Sequence, residues 1–211
     1  MNKCWYKLNI DVSNAINTNF NFREFVTDLD KDKWLVFDRS QEHFKNFLNE
    51  EWIIYIEQFG IKITSGGFFY KPSNYDPILE KTIHVDPGKQ ISAINWTLDP
   101  GIINGNINKD FEDSGVMTWF HTEEYPKKVF RRDNNIIKSY FEVNVNAPDL
   151  KKINNLKLGK DVYLVRVNIP HAVPTNAKSP RLVISIRFDE TSMTNWEDLV
   201  NYFTNNNLLN K

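Results

Sequence analysis

Asp161-Val162-Tyr163-Leu164-Val165-Arg166-Val167-Asn168-Ile169 is the stretch on which the reading of the fold turns. With a period of two, Val162, Leu164 and Arg166 share one face and Tyr163, Val165 and Val167 the other. Both faces are mostly apolar, which predicts a central strand buried on both sides. Arg181-Leu182-Val183-Ile184-Ser185-Ile186-Arg187-Phe188 is a further predicted strand, an apolar run opened by an arginine. Ile61–Lys71, Lys81–Val85, Gln90–Leu98, Gly115–His121 and Ile136–Val145 complete a series of predicted strands, with Gly, Pro, Asn and Asp clustered between most of them. Such a series predicts a mainly β fold, a sandwich or jelly roll, and no helix–strand alternation of the Rossmann kind is present.

Helices flank this region. Phe44, Phe47, Leu48, Trp52, Ile56 and Phe59 form one stripe, predicting a helix over Ser40–Phe59 with Ser40 as cap and Gly60 just past its end. Ala147–Leu156 reads as a short helix. A last helix begins at Thr194, where Thr194 and Glu197 fit a capping box and Trp196, Leu199, Val200 and Phe203 make the apolar stripe. Earlier, strands are expected around Trp5–Val12 and Trp34–Phe37. With no repeat and no long linker, residues 1–211 read as one domain: 1–60 as N-terminal support, 61–190 as the β core, and 191–211 as a C-terminal helix.

The 211 residues are 41% hydrophobic and 25% charged, which are globular proportions and exclude disordered, collagen-like and coiled-coil classes. A net charge of -1 gives no electrostatic reason to expect nucleic acid or an anionic membrane as partner. The single cysteine, Cys4, cannot form an internal disulfide, and the first residues lack the apolar run of a secretory signal. The longest apolar run, Trp52 to Ile56, is far short of the roughly 20 residues a membrane span needs. A soluble, cytoplasmic protein is expected. The 27 asparagines scatter through every segment and are read as coding bias rather than function.

His84-Val85-Asp86 closes a predicted strand, and the period of two puts His84 and Asp86 on one face, where both can grip one metal ion. His171 is the natural third ligand. Two histidines and one carboxylate on one side of a metal are the donor set of non-haem Fe(II) oxygenases. Ten residues later, Arg181 opens an apolar strand, a costly position unless the guanidinium meets an anion or water. Its planar fork suits a carboxylate bidentately.

His-x-Asp, a gap of about 85 residues, then His and an arginine ten positions on resembles the Fe(II)/2-oxoglutarate-dependent oxygenases. The segments Ala93–Leu98 (AINWTL) and Gly115–His121 (GVMTWFH) are similar to strands of hydroxylase-like members, including some of phage and marine bacterial origin. The resemblance covers roughly Phe68 to Phe188. It implies a double-stranded β-helix in which His84, Asp86 and His171 bind Fe(II) and Arg181 pairs with the distal carboxylate of 2-oxoglutarate. It also implies hydroxylation with O2, releasing succinate and CO2. Members that have lost the carboxylate are halogenases; Asp86 is present, so hydroxylation is favoured.

Departures and weaker candidates stand beside this. Some members place Ser two residues after the arginine; here that residue is Val183, and Ser185 or a tyrosine would have to substitute. Arg181 and Arg187 reproduce a spacing that resembles the alkylation-repair dioxygenases, making Arg187 a second contact to cosubstrate or substrate, or a solvated strand-end residue. Those enzymes carry Asn-x-Tyr before the His-x-Asp, whereas this chain has Asn74-Tyr75 and no basic excess, so DNA repair fits poorly. Asn95 interrupts an apolar strand and either bonds cosubstrate or substrate or merely pins a strand. Tyr70 and Trp119 read as core before pocket lining, and His43 and His121 as surface. Lys127, Lys128, Arg131 and Arg132 read as a basic cluster in a turn. The expected substrate is a peptidyl residue, a free amino acid or a small metabolite. A non-catalytic jelly-roll module binding carbohydrate or protein is the rival; it needs no carboxylate beside His84 and leaves Arg181 unexplained. A metal-dependent cupin without cosubstrate would present three or four histidines.

Overall fold

The computed structural model describes residues 3–31, 33–72, 83–86, 90–106, 115–124, 126–133, 136–172 and 180–210. The chain begins with β1 (Trp5–Lys7) and β2 (Lys33–Asp38), then two short helices, α1 (Glu42–Phe47) and α2 (Glu50–Glu57). It continues through β3 (Ile63–Lys71), β4 (His84–Val85), β5 (Ser92–Leu98), β6 (Val116–His121) and the hairpin of β7 (Lys127–Asp133) and β8 (Ile136–Glu142). Then come β9 (Lys151–Lys157), β10 (Tyr163–Arg166), β11 (His171–Ala172), β12 (Arg181–Phe188) and a final helix α3 (Trp196–Asn205). The strands form two six-stranded sheets whose pairs are all antiparallel, ordered β1-β10-β5-β12-β3-β2 and β7-β8-β4-β11-β6-β9. From β3 to β6, and again from β9 to β12, each departure from a sheet lands in the other one, except within the β6–β9 run.

Alternation on β12 explains the layering. Leu182, Ile184, Ile186 and Phe188 join one core with Phe44, Phe47, Trp52 and Ile56 of the helices and with Trp196, Leu199 and Phe203 of α3. Burying each such side chain stabilises the fold by about 1.5–3 kcal/mol. The opposite face of the first sheet supplies Ala93, Tyr163 and Val165 to a second core, which Met117, Trp119 and Leu156 of the second sheet complete. The first sheet is thus covered on both faces, and β10, with Tyr163, Leu164 and Val165 all buried, is the doubly buried strand its sequence predicts.

Local departures from the sequence reading have identifiable causes. The single helix predicted over Ser40–Phe59 is broken at Leu48, which is extended at φ -97 and ψ 138. Backbone groups there pair instead with the N-terminal segment: Asn17 N–H donates to Phe47 O (2.9 Å) and Asn49 N–H to Ala15 O (3.0 Å). Asn49 then caps α2 by accepting from Glu51 N–H, and α1 begins behind Gln41 rather than Ser40, while the apolar stripe keeps its buried role. At α3 the cap is Asn195, one residue beyond Thr194, accepting from Asp198 N–H at 2.9 Å. The helix predicted over Ala147–Leu156 is largely strand β9, because a sheet edge beside β6 accepts a polar sequence that shows no helical stripe. The basic cluster at 127–132 lies in strand β7, at one end of its sheet, rather than in a turn. The first part of the predicted Lys81–Val85 strand, and Asn74-Tyr75, lie outside the described residues.

Gly60 follows α2 with φ 74, the left-handed region glycine favours. A Cβ there would also come within 2.2 Å of the Tyr202 hydroxyl, which donates to Phe59 O at 2.6 Å. Gly60→Ala is expected to cost about 1–2 kcal/mol from backbone strain alone, lowering Tm by roughly 2–8 °C in thermal unfolding.

Candidate metal centre

Strands β4 and β11 are antiparallel neighbours, and His84 stands directly opposite His171. Directly opposed residues point to the same side of a sheet, so pairing alone brings together two imidazoles that are 87 positions apart in the chain. Their ring centroids lie 4.4 Å apart. Asp86 follows β4, its N–H donating to Val167 O at 3.2 Å. Its Oδ1 is 3.5 Å from His84 Nε2 and 3.6 Å from His171 Nε2. One ligand atom from each of the three residues falls within 4.8 Å of the others. Bonds of roughly 2.1 Å at right angles place ligand atoms roughly 3 Å apart, so a small inward movement closes this group on one divalent ion.

The protonation states favour a metal. Burial, then the neighbouring His84, lowers the His171 pKa to about 4, so its imidazole is neutral near pH 7. His171 Nδ1 lies 2.9 Å from Ile169 O; as the donor in that bond it leaves Nε2 with the lone pair facing the group. Burial of Asp86 favours its protonated acid, but the Arg187 guanidinium, with His84 and His171, overrides this and holds the carboxyl well below the usual carboxylate range. Arg187 bonds Asp86 Oδ2 through Nη2 and donates from Nη1 to Ser92 O at 3.0 Å. Ser92 is anchored in turn by Glu190, which accepts from Ser92 N–H at 2.9 Å and from Ile91 N–H at 2.7 Å. Arg187 therefore fixes the carboxylate with Oδ1 turned to the histidines, a different partner from the cosubstrate or solvent expected of it. Arg187→Met is expected to weaken Mn(II) affinity by roughly 10–100-fold. Removing the guanidinium lets the Asp86 pKa rise. On acidification, calorimetric titration should then show metal binding failing at a higher pH than in the wild type.

Arg181 lies on the same face of β12 as Val183, Ser185 and Arg187 and is only 3% exposed. A Cβ on Gly115 would approach Arg181 Cζ to 2.5 Å, so the guanidinium rests against the glycine backbone. Asn95 and Thr97 of β5 face the same interior, the Ile94 and Trp96 between them pointing to the helices. Asn95 Oδ1 and Thr97 Oγ1 are buried and have no hydrogen-bond partner among the described residues. Each such group left dry costs about 1–3 kcal/mol. A buried arginine with orphaned polar atoms on the same sheet face suits a polar, anionic ligand between the sheets, so the residues present fit a dicarboxylic cosubstrate.

The remaining candidates divide cleanly. Trp119 is fully buried and donates from Nε1 to Arg166 O at 2.7 Å, and Tyr70 packs on the helix side with its hydroxyl donating to Leu29 O at 3.0 Å. Both are core. His43 and His121 are exposed and stand outside the metal group. Sequence reading missed a cavity of about 180 Å³ lined by Trp34, Val36, Phe69, Asp86, Gln90, Ser185 and Arg187. Only the β2–β3 register, which opposes Trp34 to Phe69, brings its walls together. A larger hollow of about 390 Å³, bounded by residues such as Cys4, Phe120 and Arg166, includes none of the three ligands. In comparisons with known proteins, the chain matches no family model and no curated protein. No helix among the described residues is long and apolar enough to cross a membrane.

Proposed function

We propose that the protein is an Fe(II)- and 2-oxoglutarate-dependent dioxygenase, a hydroxylase built on a double-stranded β-helix. The observation that carries this reading is the convergence of His84, Asp86 and His171 on one point, with Arg181 buried on the facing sheet. The strand order supports it. β3, β12, β5 and β10 are neighbours in one sheet and β4, β11, β6 and β9 in the other, an interleaving of the jelly-roll type.

Bound Fe(II), with 2-oxoglutarate and O2, would supply oxidation of a substrate C–H bond coupled to decarboxylation of the cosubstrate to succinate and CO2. The protein's own residues do the rest. His84, Asp86 and His171 would hold the ion. Arg187 keeps Asp86 ionised and oriented. Arg181 would receive the distal carboxylate of the cosubstrate, and the apolar second core would keep water from the space between the sheets. Asn95 and Thr97 offer hydrogen bonds to the bound cosubstrate.

Anaerobic titration with Fe(II) and then 2-oxoglutarate tests the proposal. A weak visible charge-transfer band that requires both additions is the expected result. Absence of the band, with Fe(II) left free in solution, would sink the oxygenase reading in favour of a binding module.

A further inference from the structure

The cavity missed by the sequence reading borders the candidate metal centre, because Asp86 and its partner Arg187 form part of its wall. Arg181, which would hold the cosubstrate, does not line it, so a ligand there is distinct from 2-oxoglutarate. Its apolar wall is specific in shape. Trp34 and Phe69 stack nearly parallel, 5.6 Å between centroids and 12° between planes, and Val36 beside them is 48% exposed. Trp34 and Val36 alternate with Leu35 and Phe37, which pack on the helix side, so both point toward the metal face. Gln90, Ser185 and the Asp86–Arg187 pair supply the polar side.

Size then restricts the occupant. At about 180 Å³ the space is below the roughly 300–1,000 Å³ of pockets that enclose a whole small ligand. It takes one side chain, with the remainder of the molecule outside. Strand β2 ends its sheet, and among the described residues no strand pairs with its outer edge. An extended peptide can pair with such an edge, directing alternate side chains to the face that carries Trp34 and Val36.

We infer that the substrate is a peptide segment that lies along β2 and inserts an aromatic side chain between the Trp34–Phe69 wall and the metal centre. This deepens the oxygenase reading and rests on it. An aromatic ring extends an existing stack, whereas an aliphatic side chain gains only burial.

The test uses the full chain labelled with 5-fluorotryptophan, with the Trp34 signal among the six tryptophans assigned by its loss in Trp34→Phe. N-acetylphenylalaninamide is titrated into the metal-free protein and into the Mn(II)–2-oxoglutarate form. N-acetylvalinamide and free phenylalanine serve as comparisons. The expected result is a saturable shift of the Trp34 signal, with binding about three- to tenfold tighter than that of the valine probe. Trp34→Ala should lose the binding, followed by calorimetry, while Trp34→Phe retains most of it. An unmoved Trp34 signal, or equal affinity for the valine probe, would overturn the aromatic subsite. Tighter binding of free phenylalanine would overturn the peptide. The two readings fail separately: protein that binds the probe at Trp34 but neither Mn(II) nor 2-oxoglutarate keeps the subsite and loses the oxygenase, and protein that binds both but not the probe does the reverse.

Discussion

Asp86→Ala should abolish Fe(II) binding at the His84–Asp86–His171 group and, with it, 2-oxoglutarate turnover. Two imidazoles remain, but the only negative charge in the group is gone, and the expected loss of Fe(II) affinity exceeds about a hundredfold, the upper end of what supporting residues alone contribute. The substitution has a second effect that must be separated from the first. It leaves the Arg187 guanidinium, now 19% exposed, without the carboxylate that compensates it. Uncompensated buried charge costs about 3–5 kcal/mol in the fully buried limit, and this group's partial exposure reduces that figure. Asp86→Ala combined with Arg187→Met removes the stranded charge while still lacking the ligand. Recovery of Tm in the double variant, with no recovery of metal binding in calorimetry, would assign the lost affinity to the ligand itself.

Arg181→Ala should act on the cosubstrate and leave the metal alone. Truncating one partner of a buried, hydrogen-bonded charge pair costs about 2–5 kcal/mol, which corresponds to roughly thirtyfold or more in the KM for 2-oxoglutarate. Mn(II) affinity without cosubstrate should be unchanged, since no ligand is touched. Gly115→Ala is the companion variant. It keeps the positive charge but places a methyl group where the guanidinium now rests, so a KM increase in this variant would show that position as well as charge matters. A KM for 2-oxoglutarate unaffected by Arg181→Ala would remove the assigned anion site.

Much of this was legible in local patterning. β10 announces itself because both of its faces are mostly apolar, and β12 places Arg181 and Arg187 on one face by simple alternation. The His84–Asp86 pair is visible for the same reason. Features that depend on distant partners were hidden. The break at Leu48 follows from backbone bonds to Ala15 and Asn17, which no helical periodicity contains. β7 and β9 are polar edge strands, defined by their neighbours rather than by alternation. Arg187 could be placed on the correct face, but only the packing of β12 against the segment after β4 shows that Asp86, rather than a ligand, receives it. The Trp34–Phe69 wall required a register that composition does not encode.

The position of β12 between β5 and β3 has a consequence for how the chain reaches this state. Arg181 pairs with Lys71, 110 positions earlier, and Leu182 with Leu98. Until β12 arrives, the edges of β3 and β5 facing it stand open, and the metal-side face that Arg187 completes does not exist. Connections this distant raise contact order, placing such topologies among slow folders, on the order of milliseconds to seconds. A ribosome paused before residue 181 would hold a chain with two exposed sheet edges, the species most prone to pair with its neighbours. The strand that assembles the site is therefore also the one that closes the open edges of β3 and β5.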